Sequence, residues 1–135
     1  MNLRVLIADN LRGSESLLRI LQGHVCTVVN TLREGRVQLA SRQFDLIVVG
    51  LHFDGSQMYE LMQAVKQDAR NSDRPMACFC SRESPLSRER QEYVKYTSRI
   101  YGASVYLAEH EYSHCADPDA ELRLAIESCL TKGVR

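Results

Sequence analysis

The sequence predicts an α/β fold, in which a doubly wound, five-stranded parallel sheet lies between two layers of helices. Short, strongly apolar runs alternate with amphipathic stretches, and this alternation occurs five times along the chain. Strand–helix units in series form parallel sheets through right-handed crossovers, which places helices on both faces. The 135 residues fit a single domain spanning 1–135, because domains average ~150 residues and neither a linker nor a repeat interrupts the chain.

The predicted strands are the apolar runs. Val5–Ala8 and Leu46–Val49 are apolar on both faces, which is typical of parallel strands covered by helices on each side. Pro75–Cys80 carries its proline only at the first position, where a missing backbone donor is tolerated. The remaining two strands are Val25–Val29 and Ser104–Leu107. Together they supply the five strands of the sheet.

Local signals mark the first three helices. Gly23 is placed to end the first helix. Thr31 and Glu34 form a capping-box pattern, in which hydroxyl and carboxylate satisfy free amides at the start of the second helix. Helical spacing of apolar residues predicts the inward faces of these helices. These are, in chain order, Leu17, Leu18 and Leu21, then Leu32, Leu39 and Ala40, then Met58, Leu61, Met62 and Val65.

The last two helices begin at a cap followed by proline, an arrangement typical of helix starts. Ser84 with Pro85 is predicted to open the fourth helix, and Asp117 with Pro118 the fifth. Gly102 ends the fourth. One side of the fourth helix carries Tyr93, Tyr96, Thr97 and Ile100, and the buried stripe of the fifth is Leu122, Ala125, Ile126 and Cys129.

Composition excludes several classes of function. The 17 basic and 17 acidic residues give a formal net charge of zero, so the general attraction to nucleic acid or anionic lipid is missing. No apolar run approaches the ~20 residues needed to cross a bilayer, and Asp9 interrupts any signal-peptide core. The five cysteines are odd in number and scattered, unlike a disulfide framework. We expect a cytoplasmic protein with neither a nucleic-acid nor a membrane partner.

Functional residues of such a sheet collect at the carboxyl ends of its strands. Asp9 and Asn10 follow the first predicted strand, and Gly50 follows the third. Cys80 ends the fourth, and Glu109 follows the fifth. We expect these five residues to lie near one another. Nucleotide-binding glycine loops and the nucleophile elbow of hydrolases are absent from the sequence.

Four segments in order resemble a known family. They are Leu6–Asn10, Asp45–Gly50, Pro75–Ser81 and Gly102–Leu107. They resemble the successive blocks of the receiver domain of two-component response regulators, and the resemblance covers almost the whole chain. It implies the CheY-like, flavodoxin-like (βα)5 three-layer sandwich and a place in phosphorelay signal transduction.

The resemblance also implies a site, and this sequence departs from it. Receivers of this family accept a phosphoryl group on an aspartate, aided by Mg²⁺ held on acidic residues, a lysine and a hydroxyl residue. The matching positions here hold Gly50 for the acceptor, Asp9 with Asn10 for the acidic pair, Cys80 for the hydroxyl and Glu109 for the lysine. We therefore predict a degenerate phosphorylation pocket with no catalytic residue, metal or cofactor, in a protein that is not an enzyme.

Three residues near the predicted pocket allow further interpretations. Asp54, four residues beyond the third strand, is an alternative acceptor that would use Mg²⁺. Glu109 is either a solvated surface acid or an acid that faces Asp9 across the pocket. Cys80 is a third candidate, as a redox-responsive group, although neighbouring carboxylates raise the pKa of a thiol and reduce its reactivity.

The function predicted from these residues is that of a stand-alone pseudo-receiver, a protein–protein interaction module independent of phosphorylation. Its partner would be a kinase, another regulator or a second copy of the chain. The candidate docking face holds Arg88, Arg90, Tyr96 and Tyr106. Tyr106 is either a core ring or a ring that faces the partner. Arg88 and Arg90 end a charged segment that is longer than the matching segment of a typical receiver.

Overall fold

The computed structural model describes residues 2–82 and 86–132, and its sheet has the predicted architecture. Five parallel strands lie in the order β2-β1-β3-β4-β5, so the strand order reverses beside β1. The strands are β1 Arg4–Ala8, β2 Val25–Val29, β3 Leu46–Gly50, β4 Met76–Cys80 and β5 Val105–Ala108. The helices are α1 Leu11–Ile20, α2 Leu32–Ser41, α3 Met58–Gln67, α4 Arg88–Ile100 and α5 Pro118–Lys132, with a 3-10 turn at Glu109–Tyr112. The α/β prediction is confirmed.

The sheet separates two apolar cores, because alternate residues of a strand face opposite sides. Leu6 of β1 and Cys78 of β4 face the side that α2, α3 and α4 cover. Ile7 and Phe79 face the side that α1 and α5 cover. Because both faces of the sheet are covered, the strands are apolar on both sides, and the helices carry most of the surface that faces solvent.

Several helix ends follow the sequence signals. The side chain of Thr31 accepts from Glu34 N at 3.1 Å, and Glu34 Oε1 accepts from Asn30 N at 2.9 Å. Asp117 Oδ1 accepts from Ala120 N at 3.2 Å at the start of α5. Gly23 has a φ of +100°, a left-handed conformation that glycine adopts without strain. Thr31, Glu34 and Asp117 thus fix loops at the carboxyl ends of the strands, and Gly23 lies in a loop at their amino ends.

Two predicted inward residues point outward. Leu18 and Ala40 are exposed. In α2 the buried face is instead formed by Leu39 with Gly35, and a Cβ on Gly35 would come within 2.8 Å of Leu61 Cδ1. Glycine thus lets α2 approach α3 closely, an effect that a hydrophobicity pattern does not register.

The fourth helix starts later than the sequence signals indicate. Ser87 caps α4, its hydroxyl accepting from Arg90 N at 3.3 Å. The predicted start at Ser84 and Pro85 lies outside the described residues. None of the helices in the described ranges is long and apolar enough to span a membrane.

Candidate functional site

The parallel register brings the predicted site residues to one edge of the sheet. Ala8 lies beside Val49, so Asp9, which directly follows β1, lies next to Gly50, the last residue of β3. Gly50 lies beside Phe79 and Cys80 lies beside Ala108, which places the ends of β4 and β5 along the same edge. The five predicted positions therefore form a row above the carboxyl ends of the strands.

Asp9 is one of the two buried acids of this row, with Glu109. Its side chain is almost fully enclosed, and its Oδ1 accepts a hydrogen bond from Asn10 N at 2.7 Å. Asn10 itself caps α1, because its Oδ1 accepts from Gly13 N at 2.8 Å. The amide of Asn10 is therefore engaged at the helix start, and Asp9 supplies the only carboxylate of the predicted acidic pair.

The carboxyl group of Asp9 occupies the space of a missing side chain. A Cβ placed on Gly50 would lie 1.9 Å from Asp9 Cγ and 2.1 Å from each carboxyl oxygen. A Cβ on Gly13 of α1 would lie 1.9 Å from Asp9 Oδ2. Two glycines thus open the volume into which Asp9 folds. Any side chain at position 50 would collide with this carboxyl group unless Asp9 moved.

Burial changes the ionisation of Asp9. It raises the pKa to about 7, and this effect outweighs the hydrogen bond from Asn10 N, which lowers the pKa. A large fraction of the Asp9 side chains is therefore neutral near pH 7. A neutral acid is a weak ligand for a divalent cation, since Mg²⁺ prefers anionic oxygens.

The structure excludes one of the two interpretations of Glu109 that the sequence allows. Its side chain is 5% exposed, so it is not a solvated surface acid. Its Oε2 accepts from Arg19 Nη2 at 3.0 Å, and its Oε1 accepts from Arg82 N at 3.0 Å. Both oxygens are thus engaged by α1 and by the segment after β4, and the interactions that set the pKa of Asp9 do not include Glu109.

Cys80 and Tyr106 complete the row on the side of α4. Cys80 is fully buried, and burial raises the pKa of its thiol, with Asp9 and Glu109 adding to the rise. Tyr106 is half-buried against the core, and its hydroxyl donates to Gln91 Oε1 at 3.4 Å. A protonated, enclosed thiol reacts slowly, which weighs against a redox role for Cys80.

Asp54 sits in a tight turn and has a structural contact. Its φ of +44° is unusual for a residue with a side chain. Asp54 Oδ2 accepts from Leu32 N at 2.8 Å, at the first residue of α2, and from Gln57 Nε2 at 3.2 Å. A carboxylate at a helix amino terminus is stabilised by free amides and by the helix dipole. Asp54 therefore links the loop after β3 to α2.

Comparisons with known proteins place this geometry in a fold family. No family model matches the chain, and no curated protein matches it. Among solved structures, a putative response regulator from Chloroflexus aurantiacus is similar, with a TM-score of 0.74 at 19% identity over 97% of this chain and 99% of that one. A CheY-like receiver domain protein from Methanospirillum hungatei has a TM-score of 0.69 at 19% identity, covering 99% of this chain and 98% of that one. The chain has the fold of a response-regulator receiver domain.

A longer protein contains the same fold. NtrX from Brucella abortus matches 99% of this chain with a TM-score of 0.71 and 14% identity, but the match covers only 27% of the NtrX chain. The receiver fold is therefore found both as most of a short chain and as a part of a long one. In the described portion of the present chain, no three His, Cys, Asp or Glu side chains are grouped to hold a metal ion.

The predicted docking residues divide between the surface and the interior of this receiver fold. Arg88 and Arg90 are exposed in the first turn of α4, and Tyr96 is 69% exposed about two turns further on. Tyr106 lies behind the helix, bonded to Gln91. Tyr93 and Ile100, which the sequence places on the same side of α4 as Tyr96, are exposed as well.

Sequence analysis missed three residues that shape the site: Gly13, Arg19 and Asn30. Asn30 Nδ2 donates to the carbonyl oxygen of Asp9 at 2.9 Å and holds the start of the loop. Gly13 carried a usable signal, because glycine inside a helix often marks a close approach. Arg19 carried none, since its partner Glu109 lies 90 residues away in the chain.

Proposed function

We propose that this protein acts in two-component signalling as a receiver-fold interaction module that accepts no phosphoryl group at the end of β3. One observation carries the proposal: Gly50 has no side chain, and the carboxyl group of Asp9 fills the space where one would begin. Phosphoryl transfer depends on positioning a nucleophile and on neutralising the charge of the phosphoryl oxygens. Position 50 offers no nucleophile, so the protein is not an enzyme of phosphotransfer in this proposal.

The surroundings of Gly50 support the same view. Glu109 stands where the related fold carries a lysine, and its negative charge is committed to Arg19. A phosphorylated residue beside it would face a carboxylate instead of a cation. Cys80 stands where a hydroxyl residue would report the phosphoryl group, and a thiol is a weak hydrogen-bond donor. The pocket thus favours a state that does not depend on phosphorylation.

The alternative is a cryptic acceptor at Asp54 with Mg²⁺. Its carboxylate would have to leave Leu32 N and the amino end of α2 to meet a phosphoryl donor. That movement would remove a helix-terminal contact worth about 1 kcal/mol. We therefore rank Asp54 below the interaction module, and a single experiment separates the two.

The experiment is intact-protein mass spectrometry after incubation with acetyl phosphate and Mg²⁺, with an active receiver domain treated in parallel. We expect no added phosphoryl mass on the wild-type chain. A hydroxylamine-labile phosphoryl adduct would contradict the interaction module. Loss of that adduct in Asp54→Asn, with retention in the matched Asp73→Asn variant, would assign the acceptor to Asp54.

Signalling without phosphorylation requires a docking surface, and α4 offers one. Tyr93, Tyr96 and Ile100 are 66%, 69% and 64% exposed, and they recur at the spacing of one helix face. Exposed tyrosines with neighbouring arginines are enriched at protein interfaces. We propose that a kinase, another regulator or a second copy of the chain binds this face, with Arg88 and Arg90 at its rim.

The docking surface is tested by comparing three proteins in sedimentation velocity and in affinity capture from the cells of origin. They are the wild type, Tyr93→Ala/Tyr96→Ala, and Leu124→Ala, whose residue is similarly exposed on α5. We expect self-association or a captured kinase or regulator to disappear only in the double variant. Equal behaviour of all three proteins would exclude α4 as the docking face.

A further inference from the structure

A second surface lies at the amino ends of the strands, whereas Asp9 lies at their carboxyl ends. Two open cavities share the side chains of Arg4, Ser41 and Arg42 as a common wall. One cavity, of 680 Å³, continues to Arg70. The other, of 510 Å³, continues to Val25 and Thr27 of β2 and reaches Phe44. We call this continuous depression the basic groove.

Basic side chains outnumber acidic ones in the basic groove. Arg4, Arg42 and Arg70 line it, and the acid in its lining is the exposed Asp73, whose Oδ1 lies 3.6 Å from Arg74 Nε. Two acids nearby are used by the backbone. Asp45 Oδ2 accepts from Arg4 N at 2.8 Å. Asp68 Oδ1 accepts from Arg70 N at 2.9 Å and from Asn71 N at 3.0 Å. Across the described ranges, no carboxylate forms an ion pair with the guanidinium of Arg4 or of Arg42, and both side chains are exposed. The groove thus presents positive charge to solvent.

The wall of the groove is held rigidly. Asn71 is fully buried, its Nδ2 donating to Arg42 O at 3.1 Å and its Oδ1 accepting from Phe44 N at 2.9 Å. The guanidinium of Arg70 donates to Ala40 O at the end of α2. Because the backbone of Arg42 is fixed in this way, the wall from which its side chain extends is ordered before any ligand arrives. An ordered wall reduces the entropy lost on binding.

The groove runs along a free strand edge. In the described sheet β2 is terminal, with β1 on one side and no strand on the other. Val25 N donates to Leu3 O at 2.8 Å, and Val29 O accepts from Asp9 N at 3.3 Å, so these residues point their backbone groups at β1. In a parallel pair the alternate residues, here Cys26 and Val28, point theirs outward. They are open to an added strand.

We propose that the basic groove and the free edge of β2 together bind an extended acidic peptide segment of a partner protein. The peptide backbone would add a strand beside Cys26 and Val28. Its carboxylates would reach Arg4 and Arg42, and its apolar side chains would cover Val25, which is 58% exposed. This inference goes beyond the proposed function, because it concerns the opposite edge of the sheet and needs no statement about phosphorylation.

A peptide fits the groove better than a nucleic acid does. Binding of single-stranded nucleic acid relies on exposed aromatic rings for base stacking. Phe44, the aromatic residue that lines the groove, is buried and offers no stacking face. The chain has zero net charge, whereas a free strand edge is specific to a polypeptide partner.

Fluorescence anisotropy with a labelled peptide of about eight residues, alternating Glu and Val, tests the proposal at low ionic strength. The variants are Arg4→Glu/Arg42→Glu and the charge-matched control Arg33→Glu/Arg99→Glu, whose residues are exposed elsewhere. We expect saturable binding, at least about tenfold weaker for the first variant and unchanged for the second. A peptide N-methylated at the residues that face β2 keeps its charge but loses its backbone donors, so it should bind at least about tenfold more weakly.

Circular dichroism of each variant confirms that the fold is retained, since all four arginines lie on the surface. No saturable binding by the wild type would overturn the proposal. Equal binding by the two charge variants, or by the methylated and unmethylated peptides, would also overturn it. Tighter binding of a single-stranded oligonucleotide than of the peptide would assign the groove to nucleic acid instead. The outcome of the acetyl phosphate experiment affects none of these readings.

Discussion

Arg19 on α1 donates to Glu109 after β5 at 3.0 Å, which ties the acid that follows the last strand to the first helix. The same guanidinium donates to Asp119 of α5 at 2.7 Å. One arginine therefore holds three elements that meet at the carboxyl edge of the sheet. In this chain Glu109 is a structural ion-pair residue, because its buried carboxylate is compensated by the guanidinium of Arg19.

Glu109→Lys should destabilise the protein and should not restore phosphotransfer. The new ammonium would lie against Arg19 and Arg82, and these two partly exposed arginines would lose their buried carboxylate partner. Because Arg19 is half-exposed, we expect the free energy of unfolding to fall by about 1–3 kcal/mol, less than for a fully buried pair. Urea denaturation measures the change, with Glu111→Lys on the exposed side of the same turn as control. Equal stability of the two variants would contradict the role assigned to Glu109.

Asp9 and Gly50 should show strong energetic coupling. Gly50→Ala adds a methyl group where Asp9 Cγ lies, so it should lower the free energy of unfolding by about 1–3 kcal/mol. In the Asp9→Ala background that space is empty, and the same addition should cost less. A double-mutant cycle from urea denaturation should give a coupling of at least about 1 kcal/mol. Additive effects would show that the carboxyl group does not occupy this position.

The raised pKa of Asp9 predicts a pH dependence of stability. An acid whose pKa rises on folding favours the folded state fully below its unfolded pKa, and this contribution is lost as pH rises through the folded pKa. For Asp9 the window runs from the ordinary aspartate pKa of 3.8 to about 7, and the loss is on the order of 4 kcal/mol. Urea midpoints between pH 4 and 8 should therefore fall more steeply for the wild type than for Asp9→Asn.

The control for this window is Asp73→Asn, because Asp73 is exposed and its charge is solvated. Its midpoints should follow those of the wild type. If Asp9→Asn and the wild type lose stability in parallel, Asp9 ionises freely in the folded protein, and its burial has no effect on its pKa.

The sheet could be predicted from the sequence because apolar runs report directly on burial from both sides. Val25–Val29 and Leu46–Gly50 are strands whose bounds match the apolar pattern within one residue. The buried faces of the helices are harder to predict from the sequence, because an apolar residue at helical spacing can still lie at the border of the buried stripe. Leu18, beside the buried Leu17, is an example.

The candidate site was predictable in position but not in its contacts. Strand topology alone places Asp9, Gly50 and Glu109 along one edge of the sheet. The direction of each side chain depends on partners far along the chain, such as Arg19 for Glu109. For Gly50 the sequence shows the loss of a nucleophile, but not that the free volume is filled by Asp9.

Asn71 is a further residue whose importance no local sequence pattern indicates. Its buried side chain bonds Phe44 N at 2.9 Å, Leu39 O at 3.2 Å and Arg42 O at 3.1 Å, which joins the loop before β4 to the end of α2. Asn71→Leu keeps the branched shape and the number of side-chain heavy atoms but leaves these backbone groups buried without partners, at a cost of about 2–4 kcal/mol. Urea denaturation should show this loss, whereas Gln43→Leu, which removes one exposed hydrogen bond to Arg70 O, should change the free energy of unfolding by less than about 0.5 kcal/mol.

Because Asn71 also fixes the backbone of Arg42, the Asn71→Leu variant should bind the acidic peptide more weakly even where it remains folded. Unchanged peptide binding in that variant would show that the wall of the basic groove does not depend on this clamp.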